Sequence, residues 1–310
     1  MTTIEAPAHT TTSRERGRSR TDRWRRGLAL GAAVMTLPYS VLKVAWLGGS
    51  RVGLSDPAFG TSSTMHALNG ATLGLDLVAL TLAGIFYTRA RAPKWLVLPT
   101  MWVGYGLLGQ ILLIIGPSVI ISVLTSPATG HDTTAPIAGW VYAAVYTGFC
   151  GLGLCLLPAF AIYAWQRWGR ENGWGDRLSG IRVPVPGLPV MTTTVVVLAC
   201  MVRAVSADSA AGAADWGVDA FIGIVAVAAI GVAGAGRPSG LRRALPLLVV
   251  WTASGAWTAW GCYHLVLETV PNDLVIGTVP GVDIALSAAK ALGGLFLLGA
   301  VPALARVSRR

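Results

Sequence analysis

Long apolar runs alternate with short polar segments along most of the chain. A helix needs about 20 apolar residues to cross the hydrocarbon core of a bilayer, and eight runs are close to that length or exceed it. The runs are roughly 28–48, 67–88, 95–116, 137–164, 189–206, 218–236, 244–266 and 282–304. Residues 117–124 continue the third run after Gly116-Pro117, either as the same helix past a kink or along the interface. The pattern predicts an all-α, polytopic integral membrane protein with eight transmembrane helices.

The composition agrees with a multi-pass membrane protein. The mean hydropathy is +0.61, and 12% of the residues are charged, about half of the roughly 25% found in soluble domains. Such a chain cannot bury all its apolar surface in a water-soluble core. The 21 arginines outnumber the three lysines, a bias that together with abundant alanine and glycine indicates a GC-rich, actinobacterial genome.

Basic residues lie almost entirely on one side of the predicted bundle. Of the 24 lysines and arginines, 20 fall in the two tails and in loops 89–94, 165–188 and 237–243. The opposite loops, 49–66, 125–136, 207–217 and 267–281, contain only Arg51. The positive-inside rule then places both termini in the cytoplasm, with the protein in the bacterial cytoplasmic (inner) membrane. The same one-sided distribution argues against a nucleic-acid partner, despite a net charge of +10.

Two similar halves are predicted from the order of the runs. The third and seventh runs begin with Leu98-Pro99 and Leu245-Pro246, which are 147 residues apart. The fourth and eighth runs each have a proline near the end, Pro158 and Pro302, and these are 144 residues apart. Pro38 has no counterpart in the fifth run, which weakens the comparison. An even number of spans in each half makes the two repeats parallel. The predicted division is a disordered basic cytoplasmic tail (1–26), a four-helix half (27–164), a cytoplasmic linker (165–188), a second four-helix half (189–305) and a basic cytoplasmic tail (306–310).

Two charged residues lie deep inside predicted spans. Asp76 and Lys290 are each about 12 Å from the outer end of their run, at 1.5 Å per residue. Either charge alone would cost about 2.5–3.5 kcal/mol in hydrocarbon on insertion scales. The matching depth allows a structural ion pair between them. It also allows a pair that lines a solute or proton path, or two separate groups facing a water-filled vestibule.

Other polar residues lie nearer the outer ends of the spans. Lys43 and Arg203 are about one turn from the end of their runs, where a long basic side chain can reach the interface. His264, Glu268, Asp273 and Asp283 cluster at the outer ends of the last two runs. At the same level elsewhere lie His66, Asp208, Asp215 and Asp219. They are either ordinary outer-face polar residues or part of an acidic vestibule that concentrates cations. No third ligand accompanies His264 and Glu268, so no metal site is predicted.

The string LKVAWLGG at the end of the first run contains Lys43, Ala45, Trp46 and the pair Gly48-Gly49. It resembles a W-x-x-G-G pattern at the same place in uncharacterised, mostly actinobacterial multi-span membrane proteins. That group has no assigned activity, so the resemblance implies a class of protein and no mechanism. Interface anchoring by Trp46 and helix termination by the glycines explain the string equally well.

Catalytic and cofactor motifs are missing from the sequence. Gly104-Tyr-Gly-Leu-Leu-Gly109 matches a dinucleotide fingerprint, but that fingerprint needs a preceding strand, and here it lies inside a predicted span. Close helix packing is the better interpretation. The sequence has no H-E-x-x-H, P-loop or nucleophile-elbow motif. We therefore expect neither an enzyme nor a bound cofactor.

Three classes of function remain open from the sequence, of which an intramembrane enzyme is the least favoured. The first is a small transporter- or channel-like protein for a small solute or ion, with a polar pocket in the outer half of the bilayer. The candidate pocket residues are Asp76, Lys290, Lys43, Arg203, His264 and Asp283. The second is a non-catalytic membrane partner or scaffold whose buried charges are structural. The lipid bilayer is the one partner that the sequence identifies, and it does not specify a protein partner.

Overall fold

The computed structural model describes residues 9–56, 58–125, 136–169, 171, 173–178, 184–207, 209–275 and 277–307. These residues form eight long helices, and each predicted apolar run lies within one of them or exceeds it by at most two residues. They are α1 His9–Leu47, α2 Ser63–Thr88, α3 Lys94–Thr125, α4 Gly139–Ala164, α5 Gly187–Val205, α6 Ala210–Ala235, α7 Ala244–Thr269 and α8 Gly281–Val307. A five-residue π-helical segment, Trp165–Gly169, extends α4. The apolar stretch after Gly116 continues α3.

Seven of the helices in the described residues are long and apolar enough to cross a membrane, so the chain is a membrane protein. The exception is α7, whose middle combines tryptophans with serine, threonine and glycine. Trp257, Ser254 and Ala256 of this helix are buried against other helices. Because α3, α6 and α8 all pack against α7, less of the α7 surface faces lipid. Its side chains can therefore be more polar than those of the other helices.

The second and sixth helices begin and end alike. Ser62 precedes α2 and its hydroxyl accepts a 3.3 Å hydrogen bond from the Met65 N–H, while Ser209 does the same for the Gly212 N–H at 3.1 Å before α6. Such caps satisfy N–H groups that have no partner inside the helix. Both helices end in the left-handed conformation, at Arg89 with φ 60° and at Gly236 with φ 63°.

Several helix contacts recur in both halves of the chain, although α6 also packs against α7 and the described residues show no comparable contact between α2 and α3. In the first half α1 packs against α2 and α4, and α3 against α4; in the second, α5 packs against α6 and α8, and α7 against α8. Each half has its own apolar core. The halves meet mainly where α3 crosses α7, with α6 also contacting α3.

The α3–α7 crossing is a close backbone contact between Gly106 and Gly255. A methyl group on Gly106 would collide with the Gly255 backbone, and one on Gly255 would collide with the carbonyl of Trp102. The Trp102 indole also donates a 2.8 Å hydrogen bond to the Ser254 hydroxyl. Within this helix, Gly106 therefore provides close packing against α7, whereas a methyl group on Gly104 or Gly109 would meet its nearest neighbour only at 4.0 Å.

Polar links at the loops define the two ends of the bundle. At one end, Leu54 of the α1–α2 loop pairs with Ile137 before α4, and the Gly60 N–H donates to the Asp273 carboxylate of the α7–α8 loop at 2.8 Å. We call this the Arg51 end. At the opposite, Arg25 end, Arg25 donates to the Tyr87 carbonyl at 3.2 Å and Tyr163 to the Ala90 carbonyl at 2.8 Å.

The predicted disordered tail over residues 1–26 differs from the structure, because α1 already begins at His9. Near its end this segment is anchored: Arg25 is buried, lies 3.6 Å from the Asp22 carboxylate, and Asp22 accepts a 3.0 Å hydrogen bond from Gln166. Residues 1–8 and 308–310, and residues 126–135 of the predicted outer-side loop 125–136, lie outside the described residues.

The described part of the 165–188 linker is also packed against the bundle. Trp168 and Leu178 are buried, and the Leu178 N–H donates to the Leu241 carbonyl at 3.0 Å. Arg177 pairs with Arg242 of the α6–α7 loop in an isolated bridge. The linker between α4 and α5 is therefore held against the α6–α7 loop at the Arg25 end.

Candidate functional site

A cavity of about 410 Å³ opens at the Arg51 end, mainly within the first half of the chain. Its walls come from the ends of α1, α2 and α4, from the α1–α2 loop, and from two residues of the second half. The lining residues are Tyr39, Trp46, Gly49, Ser50, Arg51, Leu54, Phe59, Gly60, Thr61, Met65, His66, Leu68, Asn69, Thr72, Ile137, Val141, Tyr142, Val145, Tyr146, Tyr263 and Leu274. We call this the Arg51 cavity. Its size is in the range of small-molecule sites.

Helical spacing brings the polar wall of the cavity together. His66, Asn69 and Thr72 are three residues apart on α2, so they lie along one face of that helix and all line the cavity. The Thr72 hydroxyl donates to the Leu68 carbonyl at 2.9 Å, which leaves its oxygen free to accept. The described residues provide no hydrogen-bond partner for the Asn69 carboxamide.

The α1–α2 loop forms the roof of the cavity and is held by its own hydrogen bonds. Arg51 Nη2 donates to the Asp56 carbonyl at 2.7 Å and to the Phe59 carbonyl at 3.1 Å. The Trp46 indole donates to the Val52 carbonyl at 2.9 Å. Gly53 has φ +75°, and a side chain there would collide with Val141 of α4. Arg51 therefore shapes the loop as well as lining the cavity.

A buried ion pair lies directly behind the cavity. Lys43 Nζ of α1 donates to Asp76 Oδ2 of α2 at 2.9 Å, with the lysine side chain 1% exposed, and the Ser40 hydroxyl donates to the same oxygen at 3.1 Å. Lys43 Nζ also lies 3.7 Å from the centre of the Tyr39 ring. Because Tyr39 also lines the cavity, this residue connects the cavity to the ion pair.

A second buried ion pair lies in the other half of the chain. Lys290 of α8 donates to Asp219 Oδ2 of α6 at 2.5 Å, and both side chains are fully buried. Gln110 of α3 donates to Asp219 Oδ1 at 3.1 Å, and the Trp257 indole donates to the Asp219 backbone carbonyl at 3.1 Å. This cluster therefore involves four helices, and Gln110 connects it to the first half.

Polar side chains continue from this second ion pair toward the Arg51 end. Lys290 Nζ lies 3.5 Å from His264 Nδ1, and the Ser287 hydroxyl donates to Glu268 Oε1 at 3.0 Å. Arg203 of α5 forms a 2.7 Å ion pair with Asp283 of α8. Among the described residues, no group of three histidine, cysteine, aspartate or glutamate side chains is placed to hold a metal ion.

The predicted pairing of Asp76 with Lys290 is wrong, since each forms its ion pair with another residue. Matching depth along two helices does not tell which helices are neighbours: α2 packs against α1 and α4, whereas α8 packs against α5, α6 and α7. Asp219 was predicted at the outer end of its span, and not as the partner of Lys290, because the predicted sixth run begins at 218. The helix begins at Ala210, which places Asp219 well inside it.

The interface interpretation of Lys43 is also wrong. Side chains on a helix lean toward its N-terminus, so Lys43, near the C-terminal end of α1, extends back into the bundle and reaches Asp76. Arg203 likewise pairs with Asp283. None of the six predicted pocket residues lines the Arg51 cavity. Of its lining residues, His66 was predicted at the outer level of the spans and Trp46 and Gly49 at the end of the first run, but none of them as a pocket residue. A further signal was Arg51, the single basic residue in the loops of its side.

The glycine pair at the end of α1 closes the helix as expected, with Gly49 at φ +87°. In this chain only Leu47 separates Trp46 from Gly48, so the W-x-x-G-G spacing of the resemblance is not met. Comparison with protein-family models, with curated proteins and with solved structures found no match. The function therefore has to be inferred from the cavity and the buried charges.

Proposed function

We propose that the protein is a small transporter- or channel-like protein of the bacterial cytoplasmic membrane that takes a small solute into the Arg51 cavity. Both termini lie in the cytoplasm in this proposal, so the cavity opens to the outside. The one-sided distribution of basic residues supports this orientation: Arg51 is the single lysine or arginine in the four loops on its side.

The proposed architecture is two parallel four-helix repeats, with α7 as the eighth span. Three features support the repeat. The second helix of each half has a serine cap and a left-handed end, and each of these helices carries a buried aspartate, Asp76 or Asp219. Helices α3 and α7 then occupy equivalent positions, and they cross at Gly106 and Gly255.

The contact between Tyr39 and Lys43 is the observation that carries the proposal. Tyr39 lines the cavity, and its ring contacts the ammonium that neutralises Asp76. A solute pressing on this ring changes the surroundings of the ion pair that joins α1 to α2. Occupancy of the cavity is thereby linked to the packing of two membrane helices, and a transport cycle requires such a link.

The alternative is a non-catalytic scaffold, and the second ion pair favours it. Lys290 and Asp219 are fully buried, and neither residue lines the Arg51 cavity. A closed ion pair of this kind holds helices together without any solute. The two functions differ in one respect: a transporter needs the Arg51 cavity to stay open, whereas a scaffold does not.

Filling the cavity provides the test. The protein is reconstituted in liposomes, and uptake is measured for benzenesulfonate and phenyltrimethylammonium, two aromatic ions of fixed and opposite charge that fit the cavity. Protein-free liposomes give the background. We expect uptake of at least one ion above that background and its loss in Thr72→Trp, which puts an indole into the cavity. Thr81→Trp, on the exposed face of the same helix, is the matched control and should retain uptake.

Either of two results would overturn the transport proposal. One is uptake of both ions at the protein-free rate. The other is uptake that Thr72→Trp leaves unchanged, because the solute would then bypass the cavity.

A further inference from the structure

We infer that the Arg51 cavity selects solutes that carry an anionic group on a compact aromatic or apolar body. This inference rests on the proposed function of the cavity and specifies its ligand class. It depends on three properties of the lining: its charge, its free hydrogen-bonding groups and its aromatic walls.

The charge of the lining is positive. Among the lining residues that the structure describes, Arg51 is the one arginine, and there is no lysine, aspartate or glutamate. Within the described part of the chain, Arg51 forms no ion pair with an acidic side chain. Its two hydrogen bonds both leave from Nη2 and end on backbone carbonyls, so Nη1 and Nε remain available to a ligand.

The two acidic residues near the rim that the structure describes form no ion pair with Arg51, and each accepts a backbone N–H. Asp56 Oδ1 accepts from the Ala58 N–H at 2.8 Å. Asp273 Oδ2 accepts from the Gly60 N–H at 2.8 Å. Both carboxylates therefore hold loops in place, and neither is among the lining residues. A guanidinium with free donors, and with no carboxylate beside it in the lining, is a ready partner for a carboxylate or sulfonate.

Two side chains of α2 add hydrogen-bonding groups to the wall. His66 Nδ1 lies 3.0 Å from the Ser62 carbonyl; since a carbonyl only accepts, the neutral ring must carry its hydrogen on Nδ1. That assignment leaves Nε2 as an acceptor. The Asn69 carboxamide, one helical turn further along, can donate and accept. Together they fix the orientation of a ligand whose anionic group contacts Arg51.

Aromatic rings make up much of the remaining wall. Tyr39 and Trp46 meet edge to face, with ring centres 6.4 Å apart, and Tyr142 and Tyr146 stack at 6.3 Å. Tyr263 adds one more ring from α7. Rigid rings bury a planar apolar body at little cost in conformational entropy. By themselves they would also attract an organic cation, and Arg51 is the residue that reverses this preference.

Binding of three probes of similar shape tests the inference. Benzenesulfonate, benzenesulfonamide and phenyltrimethylammonium are negative, neutral and positive. Their dissociation constants are measured by equilibrium dialysis against the full-length protein in nanodiscs of neutral lipid. We expect benzenesulfonate to bind at least about tenfold more tightly than either other probe, since a hydrogen bond to a charged group commonly contributes that much.

Substitution of Arg51 then identifies the source of the preference. Arg51→Gln should remove most of the preference for benzenesulfonate while leaving binding of the neutral sulfonamide, which also shows that the loop is still folded. Arg51→Lys should retain part of it. Arg91→Gln, an exposed arginine at the Arg25 end, is the matched control and should leave all three constants unchanged.

The outcomes separate this inference from the function it rests on. If phenyltrimethylammonium binds as tightly as benzenesulfonate or more tightly, and Thr72→Trp abolishes that binding, the cavity is a solute site and the anion preference is wrong. If Arg51→Gln leaves the preference intact, Arg51 is not its source and the inference fails. If no probe binds in a way that Thr72→Trp removes, the proposed function fails together with it.

Discussion

Lys290 of α8 donates a 2.5 Å hydrogen bond to Asp219 of α6, and neither side chain is exposed. The Trp216 ring lies 4.9 Å from the same ammonium, and Gln110 reaches Asp219 from the other half of the chain. The buried charges of such a cluster are stabilised only while all their ion-pair and hydrogen-bond partners are present. Removing one residue of the pair leaves the other charge unpaired in an environment that excludes water. The resulting loss of stability can be measured.

We predict that Asp219→Asn and Lys290→Met each lower the free energy of unfolding by about 3–5 kcal/mol, because each leaves an unpaired buried charge. The double variant Asp219→Asn/Lys290→Met should recover most of that loss. The measurement is the unfolding of the purified protein in mixed micelles, followed as a function of SDS fraction. A double variant no more stable than the worse single variant would contradict a structural ion pair at this place.

Coupling between substitutions should follow the observed pairs. Double-mutant cycles with Asp76→Asn should give a coupling energy of about 0.5–3 kcal/mol with Lys43→Met, since these residues are in contact. The cycle of Asp76→Asn with Lys290→Met should give additive losses within about 0.5 kcal/mol. A strong coupling energy between Asp76 and Lys290 would contradict the observed pairs. It would mean that these two residues interact, as their matching depth suggested.

The crossing of α3 and α7 should not tolerate a side chain at its centre. Gly106→Ala puts a methyl group against the Gly255 backbone, so we expect a loss of about 1–3 kcal/mol in stability, as for other overpacked sites. Gly104→Ala is the matched control on the same helix, because its methyl group would only touch the end of the Met101 side chain at 4.0 Å. Equal stability of the two variants would mean that the helices separate at no cost.

The pair Arg203–Asp283 should behave differently from the buried pairs. Its side chains are 26% and 14% exposed, so solvent and salt screen the interaction. We expect a coupling energy of about 1 kcal/mol or less for Arg203→Gln with Asp283→Asn, decreasing as salt is raised. The same cycle run at low and at high salt concentration tests this, and a large salt-independent value would mean that the pair is buried in the membrane-bound protein.

The proposed orientation can be tested by labelling cysteines from outside intact cells. In a variant without the four native cysteines, Ser50→Cys at the Arg51 end should react with a membrane-impermeant maleimide. Ser239→Cys at the Arg25 end should react only after the cells are opened. Both serines are exposed, so access to the side chain is not limiting. The reverse result would place the cavity and Arg51 in the cytoplasm.

The sequence was sufficient for the membrane class, the eight helices and the packing role of Gly106. The length of an apolar run and the need to satisfy every backbone hydrogen bond in lipid leave few structures other than helices. The start of α6 was predicted less well, because Asp215 and Trp216 interrupt an otherwise alanine- and glycine-rich segment. That error of eight residues moved Asp219 from the interior to the surface.

The tertiary structure alone decided which charges meet and where the cavity lies. Depth along a helix can be counted from the sequence, but a contact also needs the rotation of each helix and the identity of its neighbours. Asp76 and Lys290 matched in depth and still found different partners, Lys43 and Asp219. The cavity depends in addition on the α1–α2 loop folding back over α2, which Arg51 and Trp46 secure through backbone carbonyls. Local patterns determine helices in a membrane protein, and long-range packing determines its sites.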